Sequence, residues 1–93
     1  MTAQANPRQH PNAAWREVEG SVVIISPEDS VLHELNETAS FIWKRATGEH
    51  SVPQIAAQLA AEFEVDAATA EHDTAELLEQ FTNKRLLAAE ADR

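Results

Sequence analysis

At Leu35 and Asn36 the spacing of apolar positions changes from two to between three and four, with no loop in between. Val31, His33 and Leu35 alternate with Leu32 and Glu34, the period of a strand. Ala39, Ile42, Trp43 and Ala46 then recur at i, i+3, i+4 and i+7, which puts them on one helical face. Asn36 stands where the helix needs an N-cap, and Glu37 puts negative charge at the positive end of the dipole. Gly48, after Thr47, supplies a left-handed stop. Upstream, residues 22–25 (Val-Val-Ile-Ile) form a β-branched run suited to a buried strand, and residues 15–19 alternate weakly. Gly20-Ser21 and the stretch Ser26-Pro27-Glu28-Asp29-Ser30 read as turns. The pattern predicts a three-stranded antiparallel meander that runs straight into a helix.

Two further helices follow. Ser51 and Gln54 have capping-box spacing, with Pro53 in the first turn, where its missing N–H costs nothing. Val52, Ile55, Ala56, Leu59, Ala60 and Phe63 form the stripe of the second helix. Asp66 is placed to cap a third, whose stripe is Ala70, Thr74, Leu77, Leu78 and Phe81, and Leu86-Leu87 can add a short closing strand. Three strands and three helices joined by short connections suit a winged-helix-like α+β domain. Phe41 lies off the apolar stripe of the first helix, so it is either covered by the amino-terminal segment or exposed.

Residues 1–13 are polar, contain Pro7 and Pro11 and show no periodicity, and are expected to form a mobile arm. Residues 14–88 then form the domain, and residues 89–93 a disordered tail. A chain of 93 residues makes one small domain, and at this size only about 60–65% of the unfolded surface is buried. Sixteen acidic against seven basic residues give a formal charge of −9. That balance disfavours nucleic acid, whose binding relies on Lys and Arg at phosphates, and favours a basic partner or simply solubility. Cysteine is absent, which removes disulfides, thiolate metal sites and thiol nucleophiles. No apolar run is long enough for a signal segment or a membrane span, so a cytoplasmic protein is expected.

Candidate chemistry is sparse. His72 and Glu76 lie four apart on the third helix, but two ligands are too few for a metal site, so neither metal nor other cofactor is expected. His10, His33 and His50 are scattered, and no nucleophile, base and orienting group come together, so catalysis is not expected. The acidic positions from Glu62 to Glu79 fall mostly off the apolar stripe and read as a solvated face. No Lys or Arg occurs between Arg45 and Lys84, which argues against a DNA-reading helix. Residues 31–35, the last strand of the meander, are placed to form an open sheet edge with unpaired main-chain groups.

The order and spacing of Leu35-Asn36 before Thr38-Ala39, of Ile42-Trp43, Gly48, the Ile55/Leu59/Phe63 helix, Val65-Asp66 and the final helix ending in Leu86-Leu87 resemble the PqqD family. These small domains are also called RiPP recognition elements. The family's usual aromatic near the end of the third strand is His33 here, and its usual Gly before the closing apolar pair is replaced by Lys84-Arg85. The resemblance implies a non-catalytic, monomeric or weakly dimeric chaperone. It would bind the leader of a ribosomally made precursor peptide as an added strand and present it to a separate tailoring enzyme, a radical SAM protein first among candidates. Val31, Leu32, His33, Glu34 and Leu35 would supply the edge. Asp73, Glu76, Leu77, Gln80, Phe81 and Lys84 of the third helix would form the opposite wall. A DNA-binding winged helix and a structural adaptor or dimerisation domain are the alternatives, because fold does not fix function. Pro in place of His33 is expected to remove a main-chain donor from the edge.

Overall fold

The computed structural model describes residues 6–88. Strands β1 (Ala14–Val18), β2 (Ser21–Ile25) and β3 (Leu32–Glu34) are followed by helices α1 (Glu37–Arg45), α2 (Val52–Phe63) and α3 (Ala67–Asn83). The strands form one antiparallel sheet in the order β1-β2-β3, so the predicted meander and three helices are present. Val18 pairs with Ser21, and the first hairpin therefore turns through Glu19 and Gly20, one residue earlier than expected. Both have positive φ, 53° and 86°, as a two-residue type I′ hairpin requires. The second turn is held by its side chains. Ser26 Oγ donates to the Asp29 carboxylate and accepts from the Val31 N–H at 3.1 Å. The Ser26 hydroxyl and then the Val31 N–H hold the Asp29 carboxyl below its ordinary value.

The helices cover one face of the sheet. Val22 and Ile24 of β2 form a single core with Ile42 and Trp43 of α1, Ile55 and Leu59 of α2, Leu78 and Phe81 of α3, and Leu86. The α1 stripe of Ala39, Ile42, Trp43 and Ala46 is buried throughout. The Trp43 ring makes T-shaped contacts with Trp15, 6.1 Å between centroids, and with Phe81, 5.6 Å.

The junction between β3 and α1 is fixed at two points. Asn36 Oδ1 caps α1 by accepting from the Ala39 N–H at 2.8 Å. Ser40 Oγ, fully buried, accepts from the Val22 N–H at 2.8 Å and donates to the Leu35 carbonyl at 3.3 Å. One hydroxyl thus stands between a β2 amide and the carbonyl that leaves the edge strand. Ser40→Ala strands both backbone groups, so it is expected to cost about 1–3 kcal/mol. Chemical denaturation checks this, and an unchanged midpoint would mean that the two groups find other partners.

Several details differ from the sequence expectation. The α1 helix ends at Arg45, and Gly48, with φ of 90°, lies beyond the cap residue Ala46 rather than at the stop itself. Its lack of a side chain matters for packing, since a Cβ there would come within 3.0 Å of Arg8 Nε. The α2 capping box is present, whereas Asp66 holds the α3 cap position without a side-chain hydrogen bond. Phe41 is covered, but not by the amino-terminal segment. Its ring meets Phe63 edge-on at 5.4 Å, and the Arg45 guanidinium lies 3.5 Å from its centroid.

The expected mobile arm is tied down from Asn6 onward. Gly48 N–H donates to Pro7 O and Gln9 N–H to Ala46 O, while His10 N–H donates to Leu86 O and Ala88 N–H to Arg8 O, all at 2.7–2.9 Å. The segment therefore forms a strap between the loop after α1 and the chain after α3. The expected closing strand at Leu86-Leu87 is the bridge from Leu87 to Gln9 within it. Gln9 also donates through Nε2 to Trp43 O and accepts from Trp15 Nε1. Orphaned backbone groups at two element ends offset the ordering cost that composition alone left uncovered. Residues 1–5 and the expected tail, 89–93, lie outside the described residues.

Candidate functional site

β3 pairs with β2 on one side, and among the described residues no strand pairs with the other. Which main-chain groups reach that free edge follows from the pairing. Antiparallel residues alternate between those that exchange hydrogen bonds with the partner strand and those whose N–H and C=O point away. Ser26 N–H donates to Val31 O, and Leu35 N–H donates to Val22 O. Val31 and Leu35 thus face β2, and so does His33, which lies between them opposite Ile24. Val31 N–H is taken by the turn and Leu35 O by Ser40. Of the five residues predicted to supply the edge, Leu32 and Glu34 are the two whose N–H and C=O are free to bond outward.

Side chains divide the other way. His33, half-buried, shares the core-side face with Ile24, whereas Leu32 and Glu34 lie on the solvent face with Ile25 and Val23. Leu32 is 60% exposed and Val31 45%. The strand is shorter than the five residues expected because the turn consumes Val31 and the α1 cap claims the chain after Leu35.

On α3, Ala70, Thr74, Leu78 and Phe81 face the core, Asp73 and Leu77 are half-buried along one flank, and Glu76, Gln80 and Lys84 are exposed. Phe81, expected at the margin of a groove, is a core residue packed on Trp43. No Cα of β3 comes within 8 Å of a Cα of α3, so a backbone-to-backbone gap of more than 8 Å, bridged only by side chains, separates the two elements. Arg85 Nη1 meets Glu28 Oε1 at 2.9 Å and ties the β2–β3 turn to the end of α3, which closes one end of that gap.

Two features were not foreseen. A shallow hollow on the solvent side of the sheet is lined by Val18, Glu19, Ser21, Val23, Glu34 and Leu35. Its members come from three separate stretches, and only the pairing register brings them together. In addition, Asp73 joins His72 and Glu76, so that ligand atoms of all three lie within 4.8 Å of one another. The count is therefore three rather than two, but all sit on one helix and His72 and Glu76 are largely exposed. Zinc held well needs three or four protein ligands and a supporting shell. Less than one equivalent of metal is expected by elemental analysis after purification without an affinity tag. Stoichiometric zinc that His72→Ala abolishes would overturn this.

Comparison with known proteins agrees with the fold. Residues 21–87 match the model of the family described as coenzyme PQQ synthesis protein D (PqqD). A protein of Xanthomonas oryzae pv. oryzae named PqqA binding protein is 46% identical over 65 residues, which cover 70% of this chain and 68% of that protein. The solved structure of a lasso peptide synthetase B1 complexed with the leader peptide superposes with a TM-score of 0.81 at 26% identity, covering 91% of this chain and all of that one. The solution structure of the PqqD truncation of Methylobacterium extorquens PqqCD, described as a functional, stand-alone RiPP recognition element, gives 0.72 at 28% identity, covering 89% of this chain and 88% of that one. The chain belongs to the PqqD family.

Proposed function

We propose that this protein binds the leader of a ribosomally synthesised precursor peptide and presents the peptide to a separate tailoring enzyme. The single observation that carries the reading is the free edge of β3, where Leu32 and Glu34 hold unpaired N–H and C=O groups beside the gap that separates β3 from α3. An extended peptide paired there gains main-chain hydrogen bonds, and its alternate side chains enter the gap past His33 toward Leu77. Asp73, Glu76, Gln80 and Lys84 then form the polar rim, with Phe81 beneath as part of the core. Relatives named PqqA binding protein make a PqqA-type peptide the first to test.

In this reading the protein is a chaperone with no catalytic step of its own, and the enzyme it serves is a radical SAM protein acting in the cytoplasm. The peptide-binding unit extends from the strap at residue 6 to residue 88, because the strap closes the core under Trp43. Among the described residues no helix is long and apolar enough to cross a membrane. The DNA-binding alternative is disfavoured by α3, whose exposed Glu71, Glu76 and Glu79 would repel phosphate.

Titration of a synthetic PqqA-type precursor into the isotopically labelled protein tests the proposal. Amide shifts are expected to concentrate on Leu32, Glu34 and the Leu77 flank, with a dissociation constant between about 0.1 and 10 μM. Shifts confined to α2 or the strap, with β3 silent, would sink the strand-addition mechanism.

A further inference from the structure

The solvent face of the sheet carries a second layer of recognition that the gap against α3 does not use. Register lines its residues up in rows across the strands. Ala14, Ile25 and Leu32 form one row, and Arg16, Val23 and Glu34 the next. Ile25, 43% exposed, and Leu32 make an apolar pair in the first row that no helix covers, and Val18, 47% exposed, lies two rows away beside Ser21. Next to this pair lies the hollow, lined on the solvent face by Val18, Ser21 and Val23, by the acidic residues Glu19 and Glu34, and by the chain at Leu35. Among the described residues neither carboxylate has an ion-pair partner, whereas Glu17 and Glu28 do. An apolar surface beside carboxylates matches a Lys or Arg side chain, which buries an aliphatic stem and keeps its charged head at the surface.

A peptide added to β3 would place every second side chain on this same face, directly beside Leu32 and Glu34. We infer that the solvent face reads a two-position code in the bound peptide: an apolar residue beside Leu32 and a Lys or Arg beside Glu34, its charged head paired across the strands with the Glu34 carboxylate. This rests on strand addition at β3 and specifies which strand is accepted. Addition antiparallel to β3 puts the residue facing Glu34 two positions before the one facing Leu32. The code is then basic, any, apolar, with the middle side chain turned toward His33 and the gap. The strongly acidic chain works in the same direction, because a basic segment is drawn to it and a second copy of the same chain is repelled.

Selection of a random dodecapeptide display library on the full-length protein tests the code. Enriched peptides are expected to carry Lys or Arg two positions before Leu, Ile, Val or Phe. Glu34→Lys is expected to exchange the basic preference for Asp or Glu, and Leu32→Ser to flatten the apolar one. Both residues are exposed, so both variants should keep the native circular dichroism spectrum. Replacing the basic residue of one enriched peptide by Met should weaken binding about fivefold to the native protein and hardly at all to Glu34→Gln. Enriched peptides that shift the amides of Leu32 and Glu34 but show no basic preference would overturn the code and leave strand addition standing. Peptides that bind elsewhere, or no enrichment at all, would overturn both.

Discussion

Replacement of Trp43 by Ala is expected to remove about 3–5 kcal/mol of stability, the largest single-residue loss in the domain. Trp43 is fully buried where the strap, β1, α1 and α3 converge. The substitution withdraws one partner from each of two edge-on aromatic pairs and opens a cavity that the surrounding residues fill only in part. Domains of this kind hold about 5–15 kcal/mol in total, so the variant should be close to half-unfolded under mild heating. With a urea dependence of about 1–3 kcal/mol per molar, the midpoint should fall by more than about 1 M. The indole N–H has no protein acceptor, so its loss strands nothing, and Trp43→Phe should be much milder than the Ala variant. An unchanged midpoint for Trp43→Ala would mean that α1 presents a different face to the core. It would also remove the reason for the strap to cross beneath Trp43, where Gln9 bonds to its carbonyl.

The elements legible in the sequence are those whose signal is local. The change of period at Leu35 and Asn36, the Ser51 and Gln54 box and the α1 stripe each lie within one or two turns of chain, and each is present where expected. What was not legible depends on partners far away in sequence. Ser40 reads as an ordinary polar residue in a helix, and its importance comes from Val22, eighteen residues earlier. The strap looks disordered by composition, and it is ordered by carbonyls and amides at residues 46–48 and 86–88 that no pattern within residues 6–13 announces. Phe41 looked stranded because its cover, Phe63, comes from the far end of the next helix.

The same distinction bears on the site. Alternation in residues 31–35 shows which side chains share a face, but the direction of each N–H depends on which side of β3 its neighbour lies, and that is a tertiary fact. The resemblance placed function on this strand and a wall on α3. The pairing then divides the strand into Val31, His33 and Leu35, whose backbones serve the sheet, and Leu32 and Glu34, whose backbones serve the edge.

That division changes which proline substitution is informative. Proline at His33 would delete a donor that faces Ile24 in β2, so it is expected to damage the sheet, and any loss of peptide binding would then be uninterpretable. Proline at Glu34 deletes a donor that faces outward. Edge strands tolerate proline when its missing N–H lies on the solvent side, so the fold should survive. A paired peptide, however, loses one main-chain bond worth about 1 kcal/mol and meets the pyrrolidine ring at the position it must approach most closely. Binding of a PqqA-type peptide should therefore fall more than about tenfold for Glu34→Pro relative to Glu34→Ala, which has the same side chain removed but keeps the N–H. Comparing the two variants at one position separates the backbone contribution from that of the carboxylate. Calorimetric titration of both, alongside their denaturation midpoints, gives the result. Equal affinities in two well-folded variants would mean that the peptide does not use the main chain of β3, and the free edge would then be a feature of the sheet rather than its binding site.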